Sequence, residues 1–161
     1  MSKTPLQFNL NGNDTAVFVD AGANLLDVLR RGVGDLSPKY GCGQGTCGTC
    51  SVLIDGELRL SCLTLAESVA GCQVETTAGL QTGPEPHPLQ TAFMEGFAAQ
   101  CGYCTPGMLM AAKALLKDNP SPTREQVIEA ISGNLCRCTG YDPIVDSILT
   151  AAQQLNARAG R

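Results

Sequence analysis

Tryptophan is absent from the 161 residues, aromatic side chains make up only 4%, and there is one histidine, His87. Two-histidine zinc fingers and Rieske centres both need paired histidines, so neither fits this chain. Basic charge is also scarce: Lys and Arg number 11 against 15 Asp and Glu, for a formal net charge of −4 and a pI of about 4.9. Without a basic field nothing holds a phosphate backbone by counterion release, and nucleic acid is not an expected partner. No run approaches the roughly 18 to 20 apolar residues of a membrane span. Met1-Ser2-Lys3-Thr4-Pro5 offers no charged stretch leading into an apolar one, so a cytoplasmic location is expected.

Cysteine, by contrast, is plentiful, with nine in the chain beside 18 glycines. In a reducing compartment that number points to metal ligation rather than disulfides. The length suits two compact units of about 75 residues each. Cores of that size gain from an embedded metal centre acting as a staple.

Local patterns divide the chain into two halves. Leu6-Gln7-Phe8-Asn9-Leu10 alternates apolar and polar residues, as Ala16 to Asp20 does less cleanly, with turn residues Asn11 to Asp14 between them. Asn24 can cap a short helix carrying Leu25, Leu26, Val28 and Leu29 and ending at Gly32. Ser51 to Ile54 and Glu57 to Leu60, joined by Asp55-Gly56, predict a hairpin, and Gln73 to Thr76 a closing strand. Residues 1–78 therefore read as a sheet wrapped round a helix. The prolines at 84, 86 and 88 place a linker over 79–88, with His87 as a solvated residue within it.

Residues 89–161 are patterned as helices. Leu89, Phe93 and Phe97 step by four, Thr105-Pro106 predicts a helix start, and Thr123 with Gln126 predicts a capping box. Asp142-Pro143 opens a last helix. Four helices with short connections argue a small bundle, making the whole α+β.

The cysteines fall into two sets. Cys42, Cys47 and Cys50 form a C-x4-C-x2-C run followed by Cys62, the spacing of plant-type 2Fe-2S proteins. The glycines of the loop, Gly41, Gly43, Gly45 and Gly48, let backbone amides approach sulfur closely. Cys101 and Cys104 with Cys136 and Cys138 make the second set, and Cys104 falls just before a helix start, where the dipole favours a thiolate. On spacing alone a four-thiolate zinc site stays open for both sets, more so for the second, because C-x2-C is a common zinc half-site. Cys72 belongs to neither set and reads as a small buried hydrophobe. Arg137 either counters cluster charge or faces a partner.

Together, Gly41-Cys42-Gly43 to Cys50, Asp55-Gly56, Cys62, Gln100 to Met108, Asn119 to Pro122 and Gly133 to Tyr141 resemble the small iron-sulfur subunit of the xanthine oxidase, or molybdenum hydroxylase, family. The resemblance implies a β-grasp ferredoxin domain followed by a four-helix domain, each holding a 2Fe-2S cluster. It implies metal ligands at Cys42, Cys47, Cys50, Cys62, Cys101, Cys104, Cys136 and Cys138, and contacts from Gln100 and Cys138 to a molybdopterin cofactor in a large partner subunit. Electrons would pass to FAD, in a medium subunit where one is present, or to an external acceptor. The molybdenum and flavin domains are expected on separate chains. Two positions depart from the family: Thr49 stands where alanine is common, and Leu36 to Lys39 where a threonine-rich stretch is common. The rival expectations are a free-standing ferredoxin, for which the second cysteine set is surplus, and a structural zinc module.

Overall fold

The strand and helix signals become a five-stranded mixed sheet and five helices in the computed structural model, which describes residues 3–81 and 83–160. Met1, Ser2 and Arg161, and Thr82 of the expected linker, lie outside the described residues. Strands β1 (Lys3–Leu10) and β2 (Asn13–Asp20) pair antiparallel from Lys3 opposite Asp20 to Leu10 opposite Asn13. Asn11 and Gly12 turn the chain with φ of 54° and 85°, the left-handed pair that a two-residue hairpin requires. Asp55-Gly56 does the same between β3 (Ser51–Ile54) and β4 (Glu57–Leu60). Strand β5 (Gln73–Glu75) then inserts parallel to β1 and antiparallel to β3, giving the β-grasp order β2-β1-β5-β3-β4.

Helix α1 starts where expected, with Asn24 Oδ1 accepting from the Asp27 amide at 2.8 Å, but it does not end at Gly32. A single α-turn, Leu25–Asp27, widens into a π-helical stretch over Val28–Val33. Gly34 stops it in the left-handed region at φ 87°, and the Asp35 amide reaches back to the Leu29 carbonyl at 2.8 Å. A helix needs a residue tolerant of positive φ to close this way, and Gly34 rather than Gly32 supplies it. Leu25, Val28 and Leu29 pack with Leu6, Phe8 and Val52 on one face of the sheet.

At β3 the opposite face of the sheet is buried as well. Leu53, next to Val52 on β3, joins the core of the helical half, among Leu89, Met108, Ile144 and Ile148. Period-two alternation thus sends neighbouring residues of one strand into two different cores. Each of these large aliphatic side chains contributes roughly 1.5–3 kcal/mol by leaving water. Helices α2 (Pro88–Glu95), α3 (Thr105–Asp118), α4 (Arg124–Ile131) and α5 (Asp142–Ala159) make up this half. Lys113 of α3 pairs with Glu75 of β5 across the boundary between the halves.

Two helix starts correct the sequence reading. His87 is not a solvated linker residue: it is half-buried and is the N-cap of α2, its Nδ1 accepting from the Leu89 amide at 3.2 Å while Gln90 Oε1 accepts from its own amide at 2.9 Å. An imidazole replaces the usual hydroxyl or carboxamide of a capping box, and that is why the residue type gave no helix signal. At α3 the capping position falls to Cys104, one residue before Thr105. The capping box of α4 matches its expectation, with the Thr123 hydroxyl and Gln126 amide exchanging hydrogen bonds with each other's backbone.

Candidate metal centres

Three cysteines of the first set lie on the loop between α1 and β3, and the hairpin brings in the fourth. Because Ser51 pairs with Leu60, the turn after β4 returns to the end of the loop, and both the amide and hydroxyl of Ser61 donate to the Cys50 carbonyl, at 3.3 and 2.7 Å. Cys62 is thereby placed beside Cys50. Gly43, Gly45 and Gly48 all hold positive φ, at 66°, 81° and 68°, which wraps the loop backbone around the Cys42 side chain. The Cys42 sulfur accepts from the amides of Thr46 and Gln44 at 3.2 and 3.5 Å. The Thr46 hydroxyl, with those two amides, holds the Cys42 thiol at about 5 against an ordinary 9.0, so it is poised as a thiolate. Cys62 goes the other way: burial, with Cys50 alongside, pushes it up to about 11.

The second set comes from two helix junctions. Cys101 and Cys104 precede α3, and Cys136 and Cys138 occupy the turn between α4 and α5. Tyr141, at φ 72°, turns the chain into α5 and offers its phenol oxygen to the Cys136 amide at 2.9 Å. The Thr139 hydroxyl donates to the Cys136 sulfur at 3.1 Å. Burial, then the neighbouring Cys136, pushes the Cys104 thiol up to about 12. Burial also resists ionisation of Cys136, but Thr139 overrides it and the thiol is shifted down. Within that pair Cys104 is the donor and Cys136 the acceptor. Cys138 donates to the Cys101 sulfur across 3.6 Å, and that contact raises its own pKa.

The eight sulfurs come together as pairs: Cys42 with Cys47, Cys50 with Cys62, Cys101 with Cys138, and Cys104 with Cys136. Among the described residues no three Cys, His, Asp or Glu side chains meet closely enough to hold a single ion. Two thiol pairs per set are the donor arrangement of a diiron core, in which each iron takes two protein sulfurs and shares two sulfides with its neighbour. The amide and hydroxyl donors on Cys42 and Cys136 suit sulfur carrying negative charge, so the residues present fit such clusters.

Two family models match the two halves in turn. A "2Fe-2S iron-sulfur cluster binding domain" matches residues 8–77 and a "[2Fe-2S] binding domain" matches residues 76–149. The small subunit of nicotine 6-hydroxylase from Paenarthrobacter nicotinovorans is 46% identical over 158 residues, covering 98% of this chain and 95% of that one. The chain belongs to the iron-sulfur subunits of the molybdenum hydroxylase family. A second such subunit, the small FeS subunit of nicotinate dehydrogenase from Eubacterium barkeri, is 42% identical over 96% of this chain and 98% of its own length. The structure of quinoline 2-oxidoreductase from Pseudomonas putida superposes with a TM-score of 0.94 at 44% identity, over 99% of both chains. In the aldehyde oxidoreductase of Desulfovibrio desulfuricans the matching part, at a TM-score of 0.92, is 17% of a longer chain.

The remaining candidate residues of this iron-sulfur subunit are placed as follows. Gln100 is exposed immediately before Cys101, and Cys101 and Cys138 are the two exposed thiols of the second set. Cys72 is only partly buried, packed at the margin of the first core, and Asp55 beside it raises its pKa. Arg137 is exposed and lines a cavity of about 210 Å³ with Cys47, Cys101, Cys104, Cys136 and Cys138. Thr46, Thr139 and Tyr141, which touch cysteine sulfurs or their backbone, were not singled out by spacing. Their position one to five residues from a cysteine was the available signal.

Proposed function

We propose that Cys42, Cys47, Cys50 and Cys62 hold one 2Fe-2S cluster and Cys101, Cys104, Cys136 and Cys138 the other, the units dividing within the expected linker over 79–88, whose last two residues cap and open α2. In that role the chain is the electron-transfer subunit of a molybdenum-dependent oxidoreductase and does no bond chemistry itself. The observation that carries the assignment is the pairing of the thiols, two pairs in each set. Each cluster, when bound, accepts and passes on single electrons.

The chain's own residues set where those electrons can enter and leave. Cys101 and Cys138 are exposed while Cys104 and Cys136 are partly buried, so the second quartet presents one edge to a partner. Gln100 adjoins that edge, which supports contacts from Gln100 and Cys138 to the molybdopterin cofactor of the large subunit. The first quartet lies on a different loop and serves the exit towards FAD in a medium subunit or an external acceptor. Thr46, Thr139 and the amides on Cys42 stabilise thiolate charge and thereby tune potential. Nine unbridged thiols suit the cytoplasm, and no helix among the described residues is long and apolar enough to cross a membrane. Relatives named for nicotine and nicotinate favour an N-heterocycle over an aldehyde as the substrate of the assembled enzyme.

Purification from the native host tests this reading. The chain should elute in a complex that contains molybdenum and a large molybdopterin-binding chain. A lone monomer bearing both clusters would make it a free-standing ferredoxin instead.

A further inference from the structure

The two cysteine loops touch one another directly. Asn134, buried at 4% exposure and two residues before Cys136, donates from Nδ2 to the Gly48 carbonyl at 2.9 Å. Gly48 sits next to Cys47, and its carbonyl also takes the amide and hydroxyl of Ser51 at 3.1 and 2.7 Å. In the opposite direction Thr49, also 4% exposed and next to Cys50, donates its hydroxyl to the Tyr103 carbonyl at 2.9 Å. Tyr103 directly precedes Cys104, and its phenol donates back to the Tyr40 carbonyl at 2.6 Å. Glycines permit the approach: a Cβ on Gly48 would lie 2.6 Å from Asn134 Nδ2, and one on Gly107 would lie 3.0 Å from Thr49 Cα.

We propose that Thr49 and Asn134 are positioning residues that clasp the two cluster loops together and so fix the distance and orientation between the two metal centres. Each reaches from one loop to a carbonyl of the other, and each is joined through at most one intervening residue to a candidate ligand. Both side chains are buried, so water does not compete for these hydrogen bonds and each counts for more than on the surface. Electron passage between centres depends steeply on their separation, and a site held loosely by even an ångström loses much of its rate.

The inference rests on the ligand assignment above, and the experiment separates the two. Holoprotein carrying Thr49→Val, Thr49→Ser or Asn134→Asp is compared with wild type in three respects. These are iron content, the magnetic splitting between the two fully reduced clusters in electron paramagnetic resonance, and the rate of intercluster electron transfer after pulsed reduction. Thr49→Val keeps the shape and removes the donor; it should retain full iron yet show weakened splitting and a several-fold slower transfer, and Thr49→Ser should restore both. Asn134→Asp turns a donor into an acceptor facing a carbonyl and should weaken the splitting further. Should that variant not fold, Thr49→Val and its serine rescue decide alone. Wild-type splitting and rate in Thr49→Val at full iron would overturn the clasp while leaving the ligands in place. Loss of two-cluster signals in the wild type itself would overturn the ligand assignment, and the clasp with it.

Discussion

Gly107, in the first turn of α3, is the position where one added methyl group should do the most damage for its size. A Cβ there would overlap the Gly48 carbonyl oxygen and sit 2.9 Å from Asn134 Nδ2, where ordinary contact begins at 3.4 Å. In Gly107→Ala the loop carrying Cys47 and Cys50 must retreat by about half an ångström or more, and the obstacle includes backbone, which has no rotamer to flip. Overpacking of this kind costs roughly 1–3 kcal/mol. Losing the Asn134 to Gly48 hydrogen bond adds about 0.5–1.5 kcal/mol, while alanine's better helix propensity returns roughly 0.5–1 kcal/mol. The net expectation is a destabilisation of about 1–3 kcal/mol, a sizeable share of the roughly 5–15 kcal/mol typical of a folded domain. Urea unfolding of the holoprotein, followed by circular dichroism and by cluster absorbance, measures it. Gly133→Ala is the matched control, since a Cβ there meets nothing within 4 Å and should change stability by no more than about 0.5 kcal/mol. Equal stability of the two variants would refute the close approach of the loops.

Three further outcomes are expected. Thr123→Ala removes the hydroxyl half of the α4 capping box and should cost about 1 kcal/mol in the same unfolding assay, with Thr123→Ser close to wild type. His87 is held below its ordinary 6.5 by burial first and by Lys113 and Arg158 second. A base with a lowered folded pKa binds protons more readily when unfolded, so its contribution is complete at neutral pH and declines as pH falls through 6.5. Melting temperatures against pH should therefore drop more steeply for wild type than for His87→Asn, which keeps a capping acceptor but does not titrate; parallel curves would dismiss the effect. Chelation of the metal should cost helical content and lower the melting temperature, because the metal–sulfur bonds that join the junctions at Cys104 and Cys136 are then lost; an apo form with the holo spectrum and melting point would count against it.

Local chemistry in this chain was readable where a single segment carried the whole signal. Asp55-Gly56 supplies both left-handed residues of its hairpin, and Thr123 with Gln126 contains both partners of its cap. The cysteine spacings likewise placed three thiols on one glycine-rich loop and four at two helix junctions. Features that depend on partners distant in sequence were not legible. The Asn134 contact to Gly48 spans 86 residues, and nothing in either segment announces the other. Leu53 facing the helices while Val52 faces α1 follows from how the two halves stack, which no strand pattern encodes. His87 was misread because imidazole is an unusual cap, and the stop of α1 slipped from Gly32 to Gly34 because two glycines two residues apart offer the same local signal. Cys72, expected to be buried, stays partly exposed since Gly71 turns the chain at the sheet margin with φ 75°.

Stepwise reduction of the purified holoprotein, with iron counted and paramagnetic resonance recorded at each step, reaches furthest into the assignment. Two distinguishable spectra should grow in, from about four irons per chain, two for each quartet of thiolates. A single spectrum, or zinc in place of iron, would contradict it.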